Sequence, residues 1–262
     1  MKFSFKNKLL IFDLDGVLYL NGKYNNIKFL ENYNIAFCTG RGYKRAYDII
    51  SKVCDIKNKY LILNNGATII KNSELIYEKS IDQHQKEHLK ELSKYLNINH
   101  IKFINVVTSK VDGYQYYDPE NIISEDDDYY ECNLRFSQYD DFMNYCAENK
   151  IVKVTIVFKT SMIEDNALEK LGFVKSDDFC FCMTNKDVNK MSGIENLLSL
   201  NKCKVEDCIY FGNDKNDYEV FKNKYIIKVY VYNEKLDDFL NQSCDDKVRF
   251  DKLTNYLCKE EQ

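Results

Sequence analysis

The sequence predicts an α/β fold in which a doubly wound parallel sheet is interrupted by a separate α+β unit, and three features of the pattern lead there. The first seventy residues alternate short, continuous apolar runs with helical patterns at βαβαβ spacing. Such runs imply a parallel sheet covered on both faces and joined by right-handed crossovers. From about residue 73 the pattern becomes helices mixed with alternating, tyrosine-rich strands, which reads as a second layer of its own. From Asn189 the first pattern resumes. The expected division is a core of residues 1–72 and 186–262, with 73–185 inserted between.

In chain order, LLIF at 9–12 reads as the first strand, IKFLENY at 27–33 as a helical pattern and IAFC at 35–38 as the second strand. A helix from Tyr43 to Val53 and a strand YLIL at 60–63 follow. Asn64-Asn65-Gly66 is a turn signal, after which ATII, a KNSE turn and LIYE read as a hairpin. The inserted unit opens on an amphipathic helix over 82–96, continues with strands KFINVV and GYQYY, a helix over 137–149 and the strand IVKVTIVF, and closes with a helix over 163–171 and strands FVK and DFCFCMT. The core then returns with a helix over 190–199, strand CIYF at 208–211, a helix over 214–222, strand IIKVYV and a terminal helix near 251–259.

Composition excludes several classes. Hydrophobic residues make up 45% and aromatics 14% of the 262, so the chain is folded. Its net charge is −4, with no clustered basic stripe, so no nucleic-acid partner is expected. Ten cysteines stand without a CxxC pair or any zinc spacing, which suggests a reducing cytosol and a cytoplasmic location. Asp13 and Asp15 interrupt what would have to be a signal-peptide core, and no run approaches the ~20 apolar residues of a membrane span. The acidic run SEDDDYYE at 124–131 reads as a solvated loop rather than a cation site.

The sharpest local signal is LLIFDLDGVLYL, four apolar residues running straight into Asp13-Leu14-Asp15-Gly16. Strand alternation sends Asp13 and Asp15 to one side, and Gly16 lets the chain turn. Two close carboxylates raise each other's cost of ionisation unless a cation sits between them. A calcium loop would need a Glu where Tyr24 stands. A second signal, IYFGNDKNDYEVF, ends an apolar strand in Gly212, Asn213, Asp214, Asn216 and Asp217. Alone it could be a capped strand–helix junction, but two acidic strand ends in one parallel sheet could converge on a hard cation. IAFCTGRG places Thr39, Gly40 and Arg41 at a strand end before a helix, either as an anion cradle or as a simple cap. Lys190 starts a later helix. His84 and His88, at i, i+4, read as surface or packing histidines, and Cys180 and Cys182 as sheet packing.

Taken in order, DLDGVL, CTGRG, the distant Lys190 and GNDKND resemble the motifs of the haloacid dehalogenase-like (HAD) phosphohydrolase superfamily. NNGA at 64–67 resembles its Cof-type branch, subfamily IIB. The resemblance implies a Rossmann-like core with the inserted unit as a C2-type cap. It implies Asp13 as a nucleophile that forms an aspartyl-phosphate, and Asp15 as the acid that protonates the leaving alcohol and then activates water. It implies Mg2+ held by Asp13, the backbone carbonyl of Asp15, Asn213 and Asp217, with Thr39, Gly40, Lys190 and Asn233 on the phosphate. One departure is Asn213, which stands where Asp is usual and offers a carbonyl oxygen without a charge. The expected activity is Mg2+-dependent hydrolysis of a small phosphorylated metabolite, with sugar phosphates the leading class. A phosphomutase that returns the phosphoryl group to a sugar is the alternative enzyme reading. A catalytically weak binding or regulatory protein is the alternative of another class, motivated by Asn213.

Overall fold

The computed structural model describes residues 4–95, 100–108, 114–121, 134–160, 165–233 and 237–261. The acidic run 124–131 and the start of the helix expected over 163–171 lie outside them. Strand β1 (Leu9–Phe12) buries its last three residues, as a central strand should. A small hairpin of β2 (Tyr19–Leu20) and β3 (Lys23–Tyr24) follows, turned by Asn21 and Gly22 at positive φ. An Asn-Gly pair between short strands is the strongest local hairpin signal.

The helix expected over 27–33 is a correction. Only a single 3-10 turn, Lys28–Leu30, forms there. Ile27 and Leu30 are buried as the apolar spacing requires, but Asn34 already opens β4 (Asn34–Cys38). So short a segment cannot offset the cost of helix nucleation. Helix α1 (Tyr43–Val53) buries Ala46, Ile49, Ile50 and Val53, one stripe at helical spacing. Then come β5 (Tyr60–Leu63), β6 (Thr68–Lys71) and β7 (Glu74–Glu78).

The inserted segment contains α2 (Gln83–Tyr95), β8 (Ile101–Thr108), β9 (Tyr114–Tyr117), β10 (Leu134–Phe136), α3 (Tyr139–Glu148), β11 (Ile151–Phe158), α4 (Asp165–Lys170), β12 (Val174–Asp177) and β13 (Cys180–Thr184). The chain then continues through α5 (Lys190–Asn201), β14 (Cys208–Gly212), α6 (Tyr218–Lys222), β15 (Ile227–Tyr232), α7 (Asp238–Ser243), β16 (Asp246–Arg249) and α8 (Leu253–Glu261).

Two compact units result, residues 1–77 with 188–262, and residues 78–187. The pattern alone ends the first core segment at 72. The structure carries it to 77, because β7 adds to the edge of the core sheet rather than starting the insertion. That eight-stranded sheet runs β16-β15-β14-β1-β4-β5-β6-β7. Its members from β16 to β5 are parallel, and β6 is antiparallel to β5. Strand order reverses at β1, whose neighbours are β4 and β14. A crevice at the carboxyl ends of strands forms at such a switch point. Helices α5, α6 and α7 pack Ile194, Leu197, Phe221 and Leu240 against Ile11, Ala36, Ile62 and Tyr210 on one face.

The other unit is a six-stranded sheet, β10-β9-β8-β11-β13-β12. Its helices bury Leu89, Leu92, Phe142 and Leu168 against Ile104, Val154, Ile156 and Phe181. Among the described residues no helix is long and apolar enough to cross a membrane.

Candidate active site

The carboxyl ends of β1, β4, β5 and β14 lie side by side in the sheet, and the polar residues of the motifs leave from them. Asp13 continues the β1 ladder by donating its N–H to the Phe211 carbonyl at 2.9 Å. Its side chain is only 3% exposed. One carboxylate oxygen accepts the Leu14 N–H at 2.7 Å, and the other faces Lys190 Nζ at 2.7 Å. Gly16 turns the chain at φ +73 and bonds back to the Tyr19 carbonyl at 2.7 Å. A Cβ there would fall 2.0 Å from Asn213 Nδ2, so glycine is required for conformation and for space.

Lys190 is fully buried between two carboxylates, Asp13 and Asp217, each at 2.7 Å. It stands in the first turn of α5, which Asn189 and Ser192 fix through a reciprocal capping box. The same turn abuts the loop after β5: a Cβ on Gly193 would lie 2.6 Å from the Gly66 Cα. Burial opposes the Lys190 charge, but the two carboxylates more than offset it and raise its pKa. Two acids share one base, so the cluster carries an excess negative charge. That excess falls on Asp13, whose pKa burial pushes up to about 7, with Lys190 pulling the other way and Asp217 adding to the rise. Asp217 is better supported. Its Oδ1 accepts from Lys190 at 2.7 Å and the Tyr210 hydroxyl at 2.6 Å, and its Oδ2 from the N–H groups of Asn213 at 2.7 Å and Asp214 at 3.0 Å.

Asp15 lies on the exposed side of the turn, and its carboxylate accepts two bonds from Arg41, Nε at 2.8 Å and Nη2 at 2.7 Å. The Tyr19 ring lies 5.9 Å from the same guanidinium. Thr39 is buried, donates its N–H to the Ile62 carbonyl, and accepts the Arg41 N–H on its hydroxyl at 3.2 Å. The loop after β5 holds Asn64, Asn65 and Gly66 at φ 54, 58 and 102. Asn64 and Asn65 donate their N–H groups to the Arg41 and Thr39 carbonyls, both at 3.0 Å. Three consecutive left-handed residues are held there by this bonding to the Thr39-Gly40-Arg41 loop.

The profile of haloacid dehalogenase-like hydrolases matches residues 10–233. This chain belongs to that family. The hydrolase is 28% identical over 226 residues to a Buchnera aphidicola subsp. Baizongia pistaciae protein provisionally named a phosphatase, a match covering 79% of this chain and 80% of that one. In fold it resembles the HAD subclass IIB sugar phosphatase BT4131, at 17% identity, 96% and 98% coverage and a TM-score of 0.70. It also resembles TM0651 from Thermotoga maritima, at 17% identity, 96% coverage of both chains and a TM-score of 0.71, and BT1666 from Bacteroides thetaiotaomicron, at 15% identity, 96% and 93% coverage and a TM-score of 0.72.

Most of the expected site residues of this hydrolase meet at one sheet edge. Asp13, Lys190 and Asp217 are in direct contact, Asn213 packs on Gly16, and Asp15 and Thr39 are both bonded to Arg41. Asn233 is exposed just past the end of β15, the strand beside β14. Asp217, expected at the metal, is bonded to Lys190, the Tyr210 hydroxyl and the Asn213 and Asp214 N–H groups. Two oxygens that already accept four bonds have filled the four lone-pair sites a carboxylate offers. Its work is to anchor Lys190 and the 213–214 loop. Asp214 is exposed and takes up the Lys215 N–H as a cap at 2.7 Å. Among the described residues no cluster of three or more His, Cys, Asp or Glu side chains is arranged to hold a metal.

The donor set nevertheless fits a hard cation of low coordination by protein. Asn213 Oδ1 is buried with no hydrogen-bond partner, beside the Gly16 turn. A buried carbonyl oxygen without a donor is costly, and next to an under-compensated Asp13 it is an oxygen ligand in waiting. The role of Arg41 on Asp15 could not be read from TGR alone. The Tyr210 hydroxyl gave no signal in a strand of core aromatics. His84 and His88 meet edge to face with ring centroids 4.1 Å apart, and His88 Nδ1 lies 3.2 Å from the Leu171 carbonyl, which ties His88 to packing of the second unit while His84 is exposed.

Proposed function

We propose that this hydrolase is a Mg2+-dependent phosphatase that cleaves a small phosphate ester, with sugar phosphates the leading class, through an aspartyl-phosphate on Asp13. The observation that carries the reading is a strand-end carboxylate that is buried, short of positive charge and paired with a buried lysine. A carboxylate in that state becomes a competent nucleophile toward phosphorus once cationic partners hold it ionised. The likeness to the Buchnera protein provisionally named a phosphatase supports phosphate-ester hydrolysis, and that to sugar phosphatase BT4131 supports the substrate class.

In the proposed sequence an Asp13 oxygen attacks phosphorus and the bond from phosphorus to the ester oxygen breaks. Asp15 gives its proton to that departing oxygen. Water then loses a proton to Asp15, its oxygen attacks phosphorus, and the Asp13–phosphorus bond breaks. Both Asp15 oxygens accept from Arg41, so that pair must open for Asp15 to reach the departing oxygen. Lys190, the Thr39 hydroxyl and the Gly40 N–H are the proposed partners of the transferring oxygens, with Asn233 as a further candidate. Asp13, the Asp15 carbonyl and Asn213 Oδ1 would hold Mg2+. The ion would supply neutralising charge to the phosphoryl oxygens and to Asp13.

The test is phosphate release from a panel of phosphorylated metabolites, with Mg2+ and with chelator. Release that stops on chelation and is lost in Asp13→Asn supports the reading. Isomerised sugar phosphate without released phosphate would replace it with a mutase, and no turnover of any ester would leave a binding protein.

A further inference from the structure

The sheet of the second unit packs its helices on the side of Val154, Ile156 and Phe181. On the opposite side, strand register sets Asn105, Thr155 and Cys182 in one cross-strand row and Phe103, Val157 and Cys180 in the next. Cys180 and Cys182 are two apart on β13 and therefore share that side.

Polar side chains converge on Cys182. Its Sγ lies 3.6 Å from Thr155 Oγ1 and 3.8 Å from Ser176 Oγ, and the Cys180 thiol bonds to it as well. Lys153, two residues from Thr155 on the same side of β11, adds a positive charge. The Ser176 hydroxyl also reaches the Cys180 carbonyl at 3.1 Å, so its single proton is shared between that oxygen and the sulfur. Hydrogen bonding from Cys180 first, then the positive charge of Lys153 and hydrogen bonds from Thr155 and Ser176, hold the Cys182 thiol well below its ordinary range although burial works against it. Burial drives the thiols of Cys38, Cys54, Cys146 and Cys208 the other way. Hydroxyls within reach of the sulfur and a nearby lysine charge favour the thiolate, the nucleophilic form of cysteine, at Cys182.

We propose that Cys182 and Cys180 form a peroxide-reactive dithiol site on this face of the inserted unit, with Cys182 as the attacking sulfur and Cys180 as the resolving one. The Cys182 thiolate attacks hydrogen peroxide, the O–O bond takes up two electrons from sulfur, and the products are a sulfenic acid and hydroxide, which is neutralised by a solvent proton. The Cys180 thiol then attacks the sulfenic sulfur, an S–S bond forms, and the hydroxyl leaves as water with the thiol proton. Two residues along a strand separate Cα atoms by about 6.6 Å, inside the range of about 4.4 to 6.8 Å for disulfides, but their parallel Cβ atoms lie about as far apart, beyond the roughly 4.5 Å a disulfide spans, so the strand must bend for the bond to close. The closed bond is therefore strained and easily reduced, which makes the modification reversible by ordinary thiols.

The site is tested on the full chain with hydrogen peroxide, followed by tryptic digestion and mass measurement. Residues 176–186 leave as one peptide whose only cysteines are these two. It should lose two hydrogens, regain them with dithiothreitol, and react roughly tenfold faster than exposed Cys203. In Cys180→Ser a cyclic 1,3-dione should trap sulfenic acid at residue 182, Cys182→Ser should leave residue 180 untrapped, and Thr155→Val should slow the reaction several-fold. The wild-type comparison with Cys203 needs no variant to fold. Faster oxidation of Cys203, trapping at Cys180 in Cys182→Ser, or a gain of oxygen on Met183 with both thiols intact would each overturn the proposal.

Discussion

Replacing Asp13 with Asn is expected to abolish turnover and, in metal-free buffer, to stabilise the protein. The wild-type cluster holds two carboxylates around one ammonium, and Asp13 takes the strain, its pKa raised from 3.8 to about 7. At about 1.4 kcal/mol per tenfold change, keeping Asp13 ionised near pH 8 costs about 4 kcal/mol. The amide removes that cost but not freely. Both Asp13 oxygens accept from donors, the Leu14 N–H and Lys190 Nζ, and an amide can turn its oxygen to only one. The donor left facing the NH2 group costs about 2 kcal/mol. The net gain is about 2 kcal/mol, read by urea unfolding with chelator present. The sign with pH is fixed by the direction of the shift. A carboxyl raised in the folded state binds a proton that the unfolded chain releases, so the wild type gains stability as pH falls from about 7 towards 4. The advantage of the variant should shrink over that window. An Asp13→Asn protein less stable than wild type at pH 8, with a gap that ignores pH, would refute the charge-excess reasoning.

Asp217→Asn should destabilise by about 3 kcal/mol in the same unfolding assay, because it leaves Lys190 and the Tyr210 hydroxyl facing an NH2 group in a buried site. Gly16→Ala should lose at least about 2 kcal/mol, through positive φ and the Asn213 contact, and should weaken Mg2+ binding measured as a metal-induced rise in Tm. Asn213→Asp should raise Mg2+ affinity roughly tenfold in that same titration, since a charged ligand replaces a neutral one. Arg41→Gln should leave Mg2+ binding unchanged while altering kcat, because the guanidinium bonds to the Asp15 carboxylate, whereas the proposed metal contact of Asp15 is its backbone carbonyl.

The parallel core was legible because β1, β5 and β14 are nearly continuous apolar runs and β4 and β15 are broken only by Asn34 and Lys228, and buried strands have little freedom to be anything else. β16 was not, since Asp246–Arg249 buries only Val248 at the sheet edge and reads as a polar loop. The Lys28–Leu30 turn shows the converse limit, where buried Ile27 and Leu30 mimic a helix in a segment too short to nucleate one. At the site, Asp13, Asp15 and Thr39 could be picked out by their position at the ends of apolar strands. The pairing of Lys190 with Asp13 and Asp217 joins distant segments and has no local signature. The bonds of Asp217 are hidden for a related reason: a loop carboxylate looks the same in sequence whether it meets a metal or the N–H groups of its own turn.

The central claim is that phosphate passes through Asp13. It is tested most directly by rapid acid quench of the Mg2+-loaded enzyme turning over a phosphate ester radiolabelled at phosphorus, followed by peptide mapping. The account predicts acid-stable, hydroxylamine-sensitive label on the peptide that contains Asp13, and none in Asp13→Asn. Turnover at full rate with label absent from that peptide, or undiminished turnover by the Asp13→Asn variant, would contradict it.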